Sequence, residues 1–157
     1  PADAFGLEFG REPVADFIEA ADRLTEAVKQ AVALSHPDAK DLAFLYGSIL
    51  TDGGEGEGKP SRNICVFADR QVDRSPTGSG VTTRMAALHA KGKVRAREVR
   101  HFESVVGSRF TGSVERITTA GDFSAVTVRV SGRAHYSGEA SFVVEEDDLL
   151  GGGFLVR

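Results

Sequence analysis

Between residues 12 and 34, Val14, Phe17, Ile18, Ala21, Leu24, Val28, Ala31 and Val32 recur at three- and four-residue spacing. A single apolar stripe of that period predicts an amphipathic helix lying on a sheet of its own domain. Asp16, Glu19, Asp22, Arg23, Glu26 and Lys29 fill the opposite side, Pro13 stands near the start, and Ser35-His36-Pro37 follows the end. Both flanks are ordinary helix punctuation. Residues 41–50 (DLAFLYGSIL) are apolar and aromatic between turn formers, which predicts a mostly buried strand. Residues 51–60 (TDGGEGEGKP) carry four glycines and mixed charge, the composition of an exposed connection with nothing to pack. A second buried strand is predicted over residues 63–68 (NICVFA). After Glu98 the runs FESVV, RFTGSVERI, SAVTVRVSGRAHYSG and ASFVV alternate between glycines, as short antiparallel strands do in a sheet that bends or closes. Residues 81–90 predict a second helix, and Val81, Met85, Ala86, Ala87, Leu88 and Ala90 point in several directions. A helix apolar nearly all round belongs in an interior, and its small residues allow a surrounding sheet to come close. The expected fold is one α+β domain over residues 1–157.

Composition removes several classes of function. At 41% hydrophobic and 27% charged residues the chain is globular in character, not disordered. No apolar run approaches the roughly 18 residues of a membrane span, and no basic leader precedes an apolar stretch. Neither membrane anchoring nor a signal peptide is therefore expected. Cys65 is the single cysteine, so no internal disulfide or cysteine metal cluster is available. Within its apolar run Cys65 reads as an inert core residue. With 23 acidic against 19 basic residues the net charge is −4, which argues against nucleic acid as a partner. His36, His89, His101 and His135 are scattered without the spacing of a helical metal site, and no metal is expected. The acidic run at residues 145–148 reads as a solvated turn before a last strand, and Arg95, Arg97 and Arg100 as an exposed strand face. Arg84, inside the second helix, needs a carboxylate or backbone partner and reads as structural support.

One segment departs from this plain pattern. The second strand ends in a short polar loop, and the second helix opens on Thr77-Gly-Ser-Gly80. The first N–H groups of a helix lack intrahelical acceptors, and the aligned peptide dipoles place partial positive charge there. Gly78 and Gly80 remove side-chain bulk in front of those groups, while Thr77 and Ser79 add hydroxyls. The result suits a small anion such as a carboxylate. Asp73, just upstream, is able to accept hydrogen bonds from an adjacent ammonium, so a zwitterionic amino acid would match both features. Asp, Ser and Thr ahead of a helix also serve as plain N-caps, and both readings stand at this point.

The motif Asp73-Arg-Ser-Pro-Thr77-Gly-Ser-Gly80, following Asn63-Ile-Cys-Val-Phe-Ala-Asp69, resembles the C-terminal half of the proline racemase family. The likeness extends to Leu42-Ala-Phe-Leu-Tyr-Gly47, to Ser104-Val-Val-Gly-Ser-Arg-Phe-Thr-Gly112 and to Gly151-Gly-Gly-Phe-Leu-Val156. It implies a diaminopimelate-epimerase-like fold, in which each of two domains wraps a curved, mostly antiparallel sheet around a central helix. Substrate then lies between the two helix starts. By the same resemblance Thr77 takes a catalytic position, and Asp73, Gly78 and Ser79 bind substrate, a proline or hydroxyproline, with no cofactor. Racemases and epimerases of the family carry cysteine where Thr77 stands. A threonine hydroxyl is too weak an acid to exchange an α-proton, and threonine there is the pattern of the trans-3-hydroxy-L-proline dehydratases. The implied activity is thus α-proton abstraction with loss of the C3 hydroxyl to give Δ1-pyrroline-2-carboxylate. Proline racemase, 4-hydroxyproline epimerase and a non-catalytic amino-acid-binding domain are the alternatives. The family's other catalytic cysteine belongs to a Met-Cys-Gly-His-Gly motif that this sequence lacks. The expectation is therefore the C-terminal half of a two-domain enzyme, partnered by an N-terminal half carrying that cysteine. A cytoplasmic location is expected, and the resemblance leaves room for a homodimer.

Overall fold

Pro13 adopts φ −60° and ψ 149°, an extended entry from which helix α1 runs over Val14–Ala31. The stripe lies where its period places it, burying Phe17, Ala21 and Thr25, and the helix stops where Val32 turns extended at φ −129°. The computed structural model describes residues 1–153. Strands β1 (Gly47–Thr51), β2 (Ser61–Phe67) and β3 (Gln71–Val72) precede helix α2 (Gly78–Ala90), and β4 (Val99–Ser104), β5 (Arg109–Ala120) and β6 (Phe123–Gly132) follow it. They form one sheet in the order β1-β2-β4-β5-β6, with β3 paired to β2. Every pairing is antiparallel except β2 with β4, which the crossover through α2 makes parallel. A register shift between Val114 and Arg116 leaves Glu115 as an extra residue and bends β5.

Alternation along β1 and β2 puts a helix on each face of the sheet. Leu50 pairs with Ile64 in register, and both join Val66, Phe17 and Ala21 in the apolar cluster beneath α1. Thr25 and Ser48 share a hydrogen bond of 2.7 Å on the same face. Ile49 pairs with Cys65, and these with Asn63 face α2. A second cluster, Val81, Met85, Val94, Phe102 and Val114, joins α2 to the strands that follow it. Two glycines set how near α2 comes to the sheet. A Cβ on Gly80 would collide with the Ile49 side chain, and one on Gly112 would lie 2.8 Å from Val81 Cγ1 and 2.9 Å from Met85 Cγ.

The α+β class and the sheet packed on α2 agree with expectation, but five details differ. Burial of α2 is one-sided: Gly80, Val81 and Met85 are buried while Ser79, Thr83 and Ala87 are exposed, because the sheet covers a single flank. Residues 41–46 are not strand; Lys40–Leu42 is a 3-10 turn, and Phe44 and Tyr46 stand more than half exposed. The glycine-rich connection is anchored rather than free, since Gly56 is buried, its carbonyl accepting from His101 N–H at 2.9 Å. Arg100 is not on an exposed face; its side chain is 3% exposed, 3.1 Å from Glu57 and 2.8 Å from Glu98. Residues 133–144, expected to continue the strands, pair with nothing among the described residues. The acidic run is an exposed turn closed by Asp148 N–H on Glu145 O, and the strand expected after it lies outside the described residues. No described helix is long and apolar enough to cross a membrane.

Candidate active site

β2 and β3 deliver the chain to the start of α2 through a loop that folds on its own side chains. Asp73 N–H donates to Cys65 O, fixing the loop to β2. Asp73 Oδ1 accepts from Ser75 N–H at 2.7 Å, and Ser75 Oγ accepts from Thr77 N–H at 3.0 Å. Thr77 Oγ1 then donates to Asp73 Oδ2 at 2.8 Å. Thr77 occupies the N-cap position but makes no side-chain cap, because its hydroxyl is committed to Asp73. The leading N–H groups of α2 are therefore uncapped by Thr77. Gly78 and Ser79 are exposed, with nothing within 4 Å of where a Gly78 Cβ would sit. The plain N-cap reading is thereby set aside, and the start of α2 is left open to an anion.

An open cleft of about 680 Å³ adjoins this helix start. Thr77, Asp73, Gly78 and Ser79, the four residues singled out from the sequence, all line it. Tyr46 and Phe67 supply an apolar rim, their rings 5.5 Å apart. A groove of about 750 Å³ along the outer side of α1 is larger. Its polar lining is the helix's own charged surface, including Asp16, Glu19 and Arg23, with no helix start aimed into it.

Cys65 is buried, as its apolar run suggests. It belongs to neither apolar cluster and instead lines the cleft against Thr77 and Asp73. Burial pushes its thiol above the ordinary value; a hydrogen bond with Thr77 opposes this, and the Asp73 charge adds to it. Cys65 is therefore a neutral thiol at neutral pH. The sequence did hold a signal for it: Ile64 and Val66 face α1, so Cys65 between them shares the α2 face with the buried polar Asn63.

Arg84, one further turn along α2, has the structural partners its position requires. Its Nη2 donates to Gly54 O at 3.0 Å and Ser61 Oγ at 2.6 Å, and its guanidinium lies 4.6 Å from the Phe102 ring centre. Burial lowers its pKa, and the charge of Asp52 acts in the other direction. Asp52 is itself held below the usual carboxylate value. Burial works against that, but hydrogen bonds from the N–H groups of Arg62 and Gly54 and from Ser61 outweigh it, with Arg84 assisting.

The chain is similar in sequence and fold to known proteins. The proline racemase family profile matches residues 1–155. A trans-3-hydroxy-L-proline dehydratase of Homo sapiens is 52% identical over 158 residues, covering 99% of this chain and 45% of the relative. Its namesake from Burkholderia cenocepacia (strain HI2424) is 40% identical, covering 98% and 46%. The chain thus spans about half the length of the curated relatives it matches. Among solved structures, a hydroxyproline epimerase of Agrobacterium vitis with bound trans-4-OH-L-proline superposes with TM-score 0.81 at 29% identity, over 99% of this chain and 44% of that one. A family profile matching nearly the whole chain, and a fold shared with that solved structure, lead to one conclusion: the chain belongs to the proline racemase family.

Proposed function

We propose that this chain is the C-terminal half of a trans-3-hydroxy-L-proline dehydratase and supplies the carboxylate-binding helix start and Thr77. The observation that carries the reading is the Thr77 hydroxyl, held in the cleft by Asp73 beside the uncapped amides of α2. The substrate carboxylate rests on the Gly78 and Ser79 N–H groups, where the helix dipole stabilises it. Because Thr77 gives its proton to Asp73, its oxygen is left as an acceptor, and the substrate's C3 hydroxyl donates to it.

A thiolate from the N-terminal half takes the α-proton. The Cα–H electron pair forms the Cα–C3 double bond, the C3–O bond breaks, and the hydroxyl departs as water with the proton that the thiol took from Cα, which restores the thiolate. Tautomerisation of the enamine gives Δ1-pyrroline-2-carboxylate. The electron pair leaves with the hydroxyl, so the sequence of bonds requires no electron acceptor and no cofactor. Threonine at this position supports dehydration over racemisation, since its hydroxyl cannot return a proton to the second face of Cα at useful rates. The likeness to dehydratases of that name supports the same choice of substrate. We place the reaction in the cytoplasm, a reducing compartment that keeps the cleft thiol of Cys65 intact.

The full-length protein, given trans-3-hydroxy-L-proline, is expected to form a cyclic imine that o-aminobenzaldehyde traps. One observation favours a second reading, epimerisation or racemisation: Cys65 places a protonated thiol beside Thr77. Deuterium from solvent at Cα, with inversion of 4-hydroxyproline or proline and no imine, would establish that reading in place of dehydration.

A further inference from the structure

Thr77 holds a backbone conformation that its side chain opposes. It sits at φ 69° and ψ 109°, on the left-handed side where a β-branched residue is costly. The hydrogen bonds among Asp73, Ser75 and Thr77 lie within the loop and move with it. Restraint from outside the loop comes at the Asp73 N–H, which donates to Cys65 O, and at two carbonyl oxygens. Ser104 Oγ and Ser108 Oγ donate to Arg74 O at 2.7 and 2.6 Å. Asn63 Nδ2 donates to Pro76 O at 3.3 Å.

The contact at Pro76 O bears directly on Thr77. Pro76 O and Thr77 N belong to one planar peptide unit, so fixing that oxygen fixes the plane from which the Thr77 φ is measured. Asn63 is suited to the task. It is 1% exposed, and its backbone sits in the sheet between Thr51 of β1 and Ser104 of β4. Arg84 Nη1 lies 3.5 Å from Asn63 Oδ1. A guanidinium only donates, so the amide oxygen turns toward Arg84 and the NH2 group toward Pro76 O.

We propose that Asn63 is a positioning residue: its side-chain amide holds the Pro76–Thr77 peptide plane so that the Thr77 hydroxyl points at Asp73 and into the cleft. The proposal rests on the reading of Thr77 as the group that meets the substrate's hydroxyl. Asn63→Asp is nearly isosteric, keeps an acceptor toward Arg84 and, when ionised, has no donor for Pro76 O. In the full-length protein it is expected to lower kcat for trans-3-hydroxy-L-proline about 10- to 100-fold, with a much smaller change in KM. As pH falls and the N63D carboxyl takes up a proton, it regains a donor, and kcat relative to the unsubstituted protein is expected to rise. A purely structural role would not produce that pH dependence.

A second measurement needs no folded variant. In the unsubstituted full-length protein, NMR is expected to detect coupling across the Asn63 Nδ2–H···O=C Pro76 hydrogen bond, and a Thr77 HN–Hα coupling that fits positive φ. Unchanged kcat in N63D, or absence of the cross-bond coupling, overturns the proposal. If the unsubstituted full-length protein forms no imine, the dehydratase reading falls instead, while the NMR couplings still decide whether Asn63 holds Thr77.

Discussion

At the scale of single residues, Thr77 combines a strained backbone with a committed hydroxyl, and substitutions separate the two. Thr77→Val keeps the branching and volume but leaves Asp73 Oδ2 without its donor. We expect a loss of dehydratase kcat on the order of 10²-fold and a stability loss of about 1–3 kcal/mol from the unpaired acceptor. Thr77→Ser keeps the hydroxyl and is expected to retain most of the activity. Steady-state kinetics with thermal melts of all three proteins check this, and full activity in T77V would remove the hydroxyl from the mechanism. Cys65 reports on the same site independently of turnover. Its thiol is raised by burial first and by the Asp73 charge as well. Asp73→Asn is therefore expected to lower that pKa and speed alkylation by iodoacetamide at fixed pH near 8, because the thiolate is the reacting species. Mass spectrometry of the modified chain measures the rate, and slower alkylation in D73N would contradict the assigned role of the Asp73 charge.

At the scale of elements, the sequence is legible wherever its period coincides with burial. The stripe of α1 and the apolar core of β2 lie within a few residues of their expected places because one face of each packs on hydrocarbon. The approach to β1 misleads for the opposite reason. Phe44 and Tyr46 look like strand interior, yet they stand exposed, with Tyr46 on the cleft rim, so apolar character there marks a surface and not a core. Residues 133–144 alternate as a strand would, but alternation forms a strand only beside a partner, and Tyr136 and Phe142 are 100% and 91% exposed. The four proposed site residues were readable because they are consecutive or nearly so. Asn63, Cys65 and Arg84 reach the same cleft or its supports through strand pairing and helix placement, which local spacing does not encode. The helix–sheet contact yields its own prediction. A Cβ at Gly112 would lie 2.8 Å from Val81 Cγ1 and 3.2 Å from Phe102 Cε2, with both neighbours in the packed cluster. Gly112→Ala is expected to cost about 1–3 kcal/mol and to lower Tm by about 2–4 °C per kcal/mol. Calorimetry checks this, and an unchanged Tm would mean that α2 can withdraw from the sheet without penalty.

At the scale of the whole molecule, the two apolar clusters lie on opposite faces of one sheet, and a polar tie crosses near the end of β1. Asp52 follows β1 and accepts from Ser61 Oγ at 2.9 Å, and Ser61 Oγ accepts from Arg84 of α2 at 2.6 Å. Arg62 N–H, 3.0 Å from Asp52 Oδ2, adds the start of β2 to the same carboxylate. This tie also fixes the glycine-rich connection, since Gly54 N–H donates to Asp52 and Gly54 O accepts from Arg84. Its strength depends on the charge of Asp52. The folded-state pKa lies below the ordinary 3.8, so the carboxylate's contribution is complete above that value and is lost as pH falls through the folded pKa. Asp52→Asn preserves size and one acceptor but cannot titrate. Denaturant midpoints recorded from pH 6 to pH 2 are expected to fall less steeply for D52N than for the unsubstituted chain below about pH 4. At neutral pH, D52N is expected to be the less stable of the two, since a carboxylate binds these donors more strongly than an amide does. Solvent screens part of the effect because Asp52 is exposed, so the signature is the divergence of the two curves in acid. Parallel curves throughout would show that the tie between β1, β2 and α2 holds equally well without the charge.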